Sequence, residues 1–129
     1  MILTRRSMLA GLAGAVAARA AHAAGAAAYD AAAFAAAQEA GKSILVHVTA
    51  PWCPTCQAQK PIVSQLSGQP DFAAMAIFEI DFDTSKDLLR SLNVQSQSTM
   101  IVYKGKTETA RSVGQTDPAA IEALLRTAM

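Results

Sequence analysis

Residues 44–56 read ILVHVTAPWCPTC. The first six form a nearly unbroken apolar run rich in β-branched residues, which is typical of a central strand buried on both faces. Cys53 and Cys56 follow it, and they are the only cysteines in the chain. Their spacing lets a turn at the start of a helix bring the two sulfurs together as a reversible disulfide. The segment therefore predicts thiol–disulfide exchange at the end of a buried strand.

Two other uses of a cysteine pair are possible. A structural bridge between residues this close would close almost no loop and would constrain little of the unfolded chain. A zinc site within one chain would lack ligands, because there is no second cysteine pair and the only histidines are His22 and His47. We therefore expect no metal site, and no cofactor other than the redox-active disulfide itself.

Residues 1–23 show the charged, apolar and small-residue regions of an export signal, in that order. Arg5 and Arg6 precede an apolar run over residues 8–18, and the small residues that follow predict cleavage after Ala23. The adjacent arginines indicate the twin-arginine type, with the general secretory route and an uncleaved anchor as alternatives. A cleaved signal predicts export, and the expected location is a bacterial periplasm.

Removal of residues 1–23 leaves a single small domain over residues 24–129. The signal takes three arginines and no acid with it, so eight basic and ten acidic residues remain and the net charge is about −2. Such a chain has no basic patch for nucleic acid. We expect a monomer that does not bind nucleic acid.

The apolar pattern and the turn residues predict alternating strands and helices. Residues 24–28 are expected to be a frayed, alanine-rich lead-in, and Pro61 is expected to kink the second helix. Asp30 and Asp117 are predicted helix N-caps, and Asp81 and Asp83 are interpreted as strand-end and capping residues. The predicted order is helix 29–42, strand 44–49, helix 53–66, strand 76–81, a short helix ending at 92, a hairpin over 99–113 and a last helix from 118.

With this order, the chain resembles the thioredoxin superfamily over essentially all of its mature part. The matches are the strand leading into Trp52-Cys53-x-x-Cys56, Pro61 five residues after Cys56, the sequence IDFD at residues 80–83, and the closing hairpin and helix. The resemblance implies an α/β, thioredoxin-like fold with a mixed central sheet and helices on both faces. The Pro54-Thr55 dipeptide is similar to that of exported thioredoxin-like reductants of cytochrome c maturation.

Two positions depart from the family pattern. His47 stands where thioredoxins usually have a buried aspartate, and Ser98 stands where they have a cis-proline that faces the disulfide. In the family that proline shapes the substrate groove and keeps stray metal off the cysteines. A cis bond before a serine would cost about 3–4 kcal/mol, so we expect a trans Gln97–Ser98 bond.

The resemblance assigns roles to the cysteines and to their neighbours. Cys53, at a helix N-terminus that favours the thiolate, is the expected nucleophile, and Cys56 is the expected resolving thiol. Pro54 removes one amide donor from the turn, whereas the Thr55 hydroxyl can donate to the Cys53 sulfur. Trp52 is expected to be an exposed platform for substrate, with ordinary packing as the alternative.

Three further residues have two interpretations each. His47 is either a satisfied core residue or a neutral base that relays a proton to or from Cys56. Gln97 and Ser98 either offer backbone groups to an extended substrate strand or are ordinary loop residues.

The expected function is a periplasmic oxidoreductase that reduces disulfides in protein substrates. Its cysteines would be reduced again by a membrane or periplasmic redox partner, since the chain has no nicotinamide or flavin motif. One alternative is a binding module in which paired protomers hold a metal ion or iron–sulfur cluster. Another is a redox-linked chaperone. The direction of electron flow stays open, because potentials across such proteins span about 150 mV.

Overall fold

The structure is a computed structural model that describes residues 25–129, so the predicted export signal lies outside the described residues. No helix in residues 25–129 is long and apolar enough to cross a membrane. The elements are β1 (Ala26–Ala28), α1 (Ala31–Glu39), β2 (Ser43–Thr49), α2 (Pro54–Ser67), a 3-10 turn (Pro70–Phe72), β3 (Ala76–Asp81), α3 (Lys86–Ser91), β4 (Thr99–Lys104), β5 (Thr107–Val113) and α4 (Pro118–Arg126).

The strands form one mixed sheet in the order β1-β3-β2-β4-β5. β3 runs parallel to both β1 and β2, whereas β4 runs antiparallel to β2 and to β5. β2 lies in the middle, because six of its seven residues are buried and both of its faces must be covered. The predicted fold class is confirmed, with β2 leading directly into the Cys-x-x-Cys turn.

Alternation along β2 divides the core between the two faces of the sheet. Ile44, Val46 and Val48 join the cluster that includes Phe34 of α1 and Leu89 of α3. Leu45 points the other way, into the cluster formed with α2 and α4. A strand alternates its side chains, so His47 shares the face of Leu45 and lies beneath α2.

Local signals predict the starts of α1 and α4 correctly. Asp30 and Asp117 are the N-caps of α1 and α4, and their carboxylates accept hydrogen bonds from Ala33 N and Ala120 N at 2.8 and 3.2 Å. Asp81 ends β3, and its carboxylate accepts the backbone N–H groups of Asp83 and Thr84 in the following loop. Pro61 lies inside α2; the kink expected there stays a prediction.

The expectation of a frayed lead-in is wrong for residues 26–28. They form β1, with Ala26 opposite Ile77 and Ala28 opposite Glu79 in parallel register. The three side chains are exposed, and the backbone N–H of Tyr29 continues the pairing by donating to Glu79 O at 2.8 Å. Alanine has little intrinsic preference for strands, so the exposed backbone edge of β3 is what orders this segment.

Candidate active site

The two cysteines meet where β2 ends and α2 begins. Cys53 is the N-cap of α2, and its sulfur accepts a hydrogen bond from the backbone N–H of Cys56 at 3.1 Å. The two residues form a disulfide, with Cα atoms 5.3 Å apart. Both side chains are buried, at 1% and 0% exposure, so accessibility does not distinguish them. The backbone N–H of Cys56 at the helix N-terminus distinguishes them, because it stabilises negative charge on the sulfur of Cys53.

The Ser98 hydroxyl lies between the two sulfurs. Its oxygen is 3.1 Å from the sulfur of Cys53 and 3.1 Å from that of Cys56. All described peptide bonds are trans, which confirms the expectation for the bond before Ser98. The residue adopts a positive φ of 64°, a region in which non-glycine residues are uncommon. The sequence interpretation did not include a contact between this hydroxyl and the disulfide.

The backbone groups of Ser98 are bound within the protein. Its N–H donates to Val48 O at 2.8 Å, and its carbonyl accepts from Gly114 N at 3.0 Å. Both groups therefore have partners inside the protein, and pairing of Ser98 with a substrate strand stays a prediction. Gln97 is half-buried, and its carbonyl accepts the Ser96 hydroxyl at 3.0 Å. Backbone pairing between a substrate and Gln97 stays a prediction.

Gln59 is a site residue that the sequence interpretation missed. It is completely buried, and its side-chain amide nitrogen donates to the carbonyls of Ser98 and Gln115 at 3.2 and 2.9 Å. Its amide oxygen lies 2.8 Å from Nε2 of His47. A signal was present: Gln59 falls between Cys56 and the buried Val63 at the three- and four-residue spacing of one helix face. A polar side chain on that face requires buried partners.

The hydrogen bonds of Gln59 fix the protonation of His47. The backbone carbonyls of Ser98 and Gln115 can only accept hydrogen bonds. The NH₂ group of Gln59 must therefore face these carbonyls, and its amide oxygen must face the imidazole. Nε2 of His47 therefore carries a hydrogen and donates it. Burial, its largest influence, lowers the pKa of His47 below the ordinary value of 6.5, against opposing effects of Gln59 and Glu79 and with a small addition from Lys60. A neutral imidazole with its proton on Nε2 follows.

The relay from His47 to Cys56 stays a prediction. Among the described residues, His47 makes its side-chain hydrogen bond to Gln59 and none to either cysteine. An amide oxygen has no proton to pass on, so the Nε2 side offers no route for a proton from Cys56. The geometry of this side of the ring agrees with the interpretation of His47 as a satisfied core residue.

His47 should make folding stability depend on pH. Above pH 6.5 the imidazole is neutral in both the folded and the unfolded chain, and its contribution is constant. As the pH falls below that value, the unfolded chain takes up a proton that the folded protein resists, until the lowered folded pKa is reached. Stability should fall by about 1.4 kcal/mol per pH unit in that window. Urea unfolding of wild type and His47→Asn, which keeps an N–H donor but does not titrate, measures the difference; equal slopes would contradict this.

Trp52 is exposed beside the Cys-x-x-Cys turn, with 57% of its surface accessible. Its indole Nε1 donates to Asp83 Oδ2 at 2.8 Å. The interpretation of Asp83 as a capping residue is therefore wrong, since its carboxylate holds the tryptophan instead. The hydrogen bond fixes one edge of the ring and leaves much of its surface open, in agreement with the expected platform; a contact with substrate stays a prediction.

Pro54 and Thr55 are placed differently from each other. Pro54 is exposed in the first turn of α2, where its missing N–H leaves no intrahelical bond unmade. Thr55 is half-buried, and in the described part of the chain its hydroxyl makes no hydrogen bond to the Cys53 sulfur. The Cys56 amide and the Ser98 hydroxyl contact that sulfur instead. Contacts of Pro54 and Thr55 with substrate stay predictions.

Within residues 25–129, no three histidine, cysteine or acidic side chains cluster in a way that could hold a metal ion. The groups that the site brings together are the two sulfurs, the Ser98 hydroxyl and the backbone N–H of Cys56. Such a set of groups can carry out thiol–disulfide exchange, in which a thiolate attacks a disulfide through a mixed-disulfide intermediate.

Comparison with known proteins finds thioredoxins. The thioredoxin family model matches residues 26–127. The chain is 33% identical over 81 residues to thioredoxin H-type from Fagopyrum esculentum, a match that covers 63% of this chain and 68% of that protein. It is equally identical over 81 residues to thioredoxin-2 from Saccharomyces cerevisiae, of which the match covers 75%. The crystal structure of Trxlp from Edwardsiella tarda is 39% identical, with a TM-score of 0.75 over 78% of this chain and 97% of that one.

Proposed function

Since the chain belongs to the thioredoxin family, we propose that its Cys53–Cys56 pair reduces disulfides of proteins outside the cytoplasm. Family membership gives the reaction class, thiol–disulfide oxidoreduction on disulfide-containing protein substrates, which needs no cofactor beyond the cysteine pair. The observation that carries the proposal is the position of Cys53, whose sulfur caps the N-terminus of α2 within bonding distance of Cys56. The proposal also includes the direction of electron flow, from Cys53–Cys56 to the substrate, and a location outside the cytoplasm.

The reaction proceeds in two exchanges. The Cys53 thiolate bonds to one substrate sulfur, the substrate S–S bond breaks, and the other substrate sulfur leaves as a thiolate that takes a proton from solvent. Cys56 then bonds to the Cys53 sulfur and expels the second substrate thiolate, which takes up the Cys56 proton. Two electrons have passed to the substrate, and the Cys53–Cys56 disulfide remains. A membrane or periplasmic redox partner must return two electrons before the next cycle.

Two features support the direction of electron flow. The described residues contain the sheet and four helices with only a three-residue 3-10 turn added between α2 and β3. Dedicated oxidants of this superfamily carry an inserted helical domain, to which nothing in residues 25–129 corresponds. The Pro54-Thr55 dipeptide is also similar to that of exported reductants. Both features favour a reductant.

Reduction of insulin disulfides with dithiothreitol as electron donor tests this function. We expect the chain to raise the initial rate in proportion to its concentration, because each molecule cycles between dithiol and disulfide. A rate equal to that of dithiothreitol alone would contradict the proposal. A protein that suppresses insulin precipitation without reducing it would instead be a chaperone.

Export is supported by the order of regions in residues 1–23 and by the start of the family match at residue 26, just beyond the proposed cleavage site after Ala23. We propose that the mature protein is the thioredoxin-like domain of residues 24–129 and that it is periplasmic. The adjacent arginines at positions 5 and 6 favour the twin-arginine route, which carries folded proteins.

Replacing Arg5 and Arg6 together by lysine should abolish export through the twin-arginine route and leave the uncleaved precursor in the cytoplasm of a bacterial host. Cell fractionation and N-terminal sequencing measure this, and the wild-type mature chain should begin at Ala24. Arg19→Lys is the matched control and should be exported normally. Undiminished export of the double variant would contradict the twin-arginine assignment, and wild-type protein that is retained uncleaved in the membrane would contradict cleavage.

A further inference from the structure

We propose that the Ser98 hydroxyl is a catalytic hydrogen-bond donor that serves both sulfurs in turn, stabilising negative charge first on Cys53 and then on Cys56. This inference rests on the proposed oxidoreductase function and adds a residue to its machinery. This chain has a serine at position 98, where the family resemblance leads one to expect a proline, a residue without a hydroxyl. The serine therefore supplies an interaction that a proline side chain has no group to make.

The carrying observation is the equal distance of 3.1 Å from the hydroxyl oxygen to each sulfur. A hydroxyl has one hydrogen to donate and two lone pairs to accept with. In the reduced protein it can donate to the Cys53 thiolate and accept the S–H of Cys56 at the same time. When charge moves to Cys56 during resolution, rotation about the C–O bond redirects the donor and no heavy atom has to move.

The surrounding structure holds the hydroxyl in place. Ser98 is 3% exposed, and its backbone N–H and carbonyl bond to Val48 and Gly114. The buried amide of Gln59 donates a further hydrogen bond to the Ser98 carbonyl. The residue keeps a positive φ of 64° although serine does not favour it. Strained conformations that persist in this way cluster at functional sites.

The burial of the two sulfurs increases the effect of one hydrogen bond from Ser98 on thiolate stability. A hydrogen bond to an ionised acceptor is about twice as strong as one between neutral groups, and it is stronger again where water is excluded. In the described residues, the two thiols are the titratable groups that the hydroxyl contacts. His47 reaches Ser98 only through Gln59, which binds the Ser98 carbonyl and not the hydroxyl. The hydroxyl thus acts on the sulfurs directly, as the Cys56 amide does on Cys53.

Thiolate titration in a Cys56→Ala background isolates the effect on Cys53. Ultraviolet absorbance follows ionisation of the remaining thiol as the pH is raised. Adding Ser98→Ala should move the midpoint up by about one pH unit, a tenfold weakening of the acid, because a charge-assisted hydrogen bond is lost. Ser98→Gly, which tolerates the positive φ, should give the same shift. Ser96→Ala removes a hydroxyl from the same loop and should give none.

The effect should also appear in the two-cysteine protein. Stabilised thiolate favours the reduced form, so Ser98→Ala should shift the equilibrium with glutathione about tenfold toward the protein disulfide. At a pH above the thiol midpoint, this corresponds to about 30 mV. Unchanged midpoint and equilibrium in both Ser98 variants would overturn the inference, as would unequal effects of alanine and glycine, which would assign the effect to the backbone. A wild-type protein that does not exchange with glutathione at all would overturn the proposed function as well.

Discussion

Cys53→Ala is expected to abolish insulin reduction, lowering the rate to that of dithiothreitol alone. Cys53 carries the thiolate that begins each cycle, since its sulfur caps α2 and accepts the Cys56 amide. No other group near the disulfide can replace it, because the chain has one other cysteine, and that sulfur lies one turn inside the helix. The initial rate of insulin reduction measures the loss.

Cys56→Ala should behave differently. Attack by Cys53 remains possible, but no second thiol of the protein resolves the mixed disulfide. Protein that is reduced and then freed of dithiothreitol should therefore react once and hold one substrate. Mass spectrometry should find the adduct on Cys53. Gln57→Ala, an exposed change on the same helix, is the control and should turn over normally. An adduct on Cys56 in the Cys53→Ala variant, with full turnover by Cys56→Ala, would reverse the two roles.

Gln59→Ala is expected to lower the free energy of unfolding by about 3 kcal/mol. The side chain is completely buried and holds three partners: His47, Ser98 O and Gln115 O. Each lost hydrogen bond contributes about 1 kcal/mol, and each polar group left unpaired adds a desolvation cost. Equilibrium unfolding of the oxidised protein in urea measures the change.

Two further variants identify the cause. Gln57→Ala makes the same substitution at an exposed position of α2 and should change stability by no more than about 0.5 kcal/mol. Gln59→Leu fills most of the volume but still removes the hydrogen bonds to His47 and Gln115 O and one of the two to Ser98 O, so it should remain destabilised by about 2 kcal/mol. Wild-type stability of the leucine variant would show that the network contributes nothing beyond its volume.

The fold was predictable because its signals are local. An apolar run of six residues predicts β2, and Asp30 and Asp117 predict the starts of two helices at the residues where the structure has them. β1 gave no such signal. Its three alanines neither alternate nor favour strands, and the edge of β3 that orders them is about 50 positions away in sequence.

The candidate site was predictable in part for the same reason. Cys53 and Cys56 are brought together by one turn of helix, which their spacing reveals. The hydroxyl of Ser98 reaches the sulfurs across 42 and 45 positions of sequence, and its direction depends on a positive φ that no local pattern of this loop indicates. Gln59 lay within reach of sequence analysis, because it occupies a buried-face position of α2, but its three partners come from distant segments.

The equilibrium reduction potential of the Cys53–Cys56 pair tests the central claim most directly. The mature protein would be equilibrated with dithiothreitol or glutathione couples while the fluorescence of Trp52, the only tryptophan, reports its state. A reductant predicts one reversible two-electron transition near thioredoxin's value of about −270 mV. A transition near −120 mV, a value roughly that of strong periplasmic oxidants, would reverse the direction of electron flow. No reversible transition would contradict the claim that this pair is a redox centre.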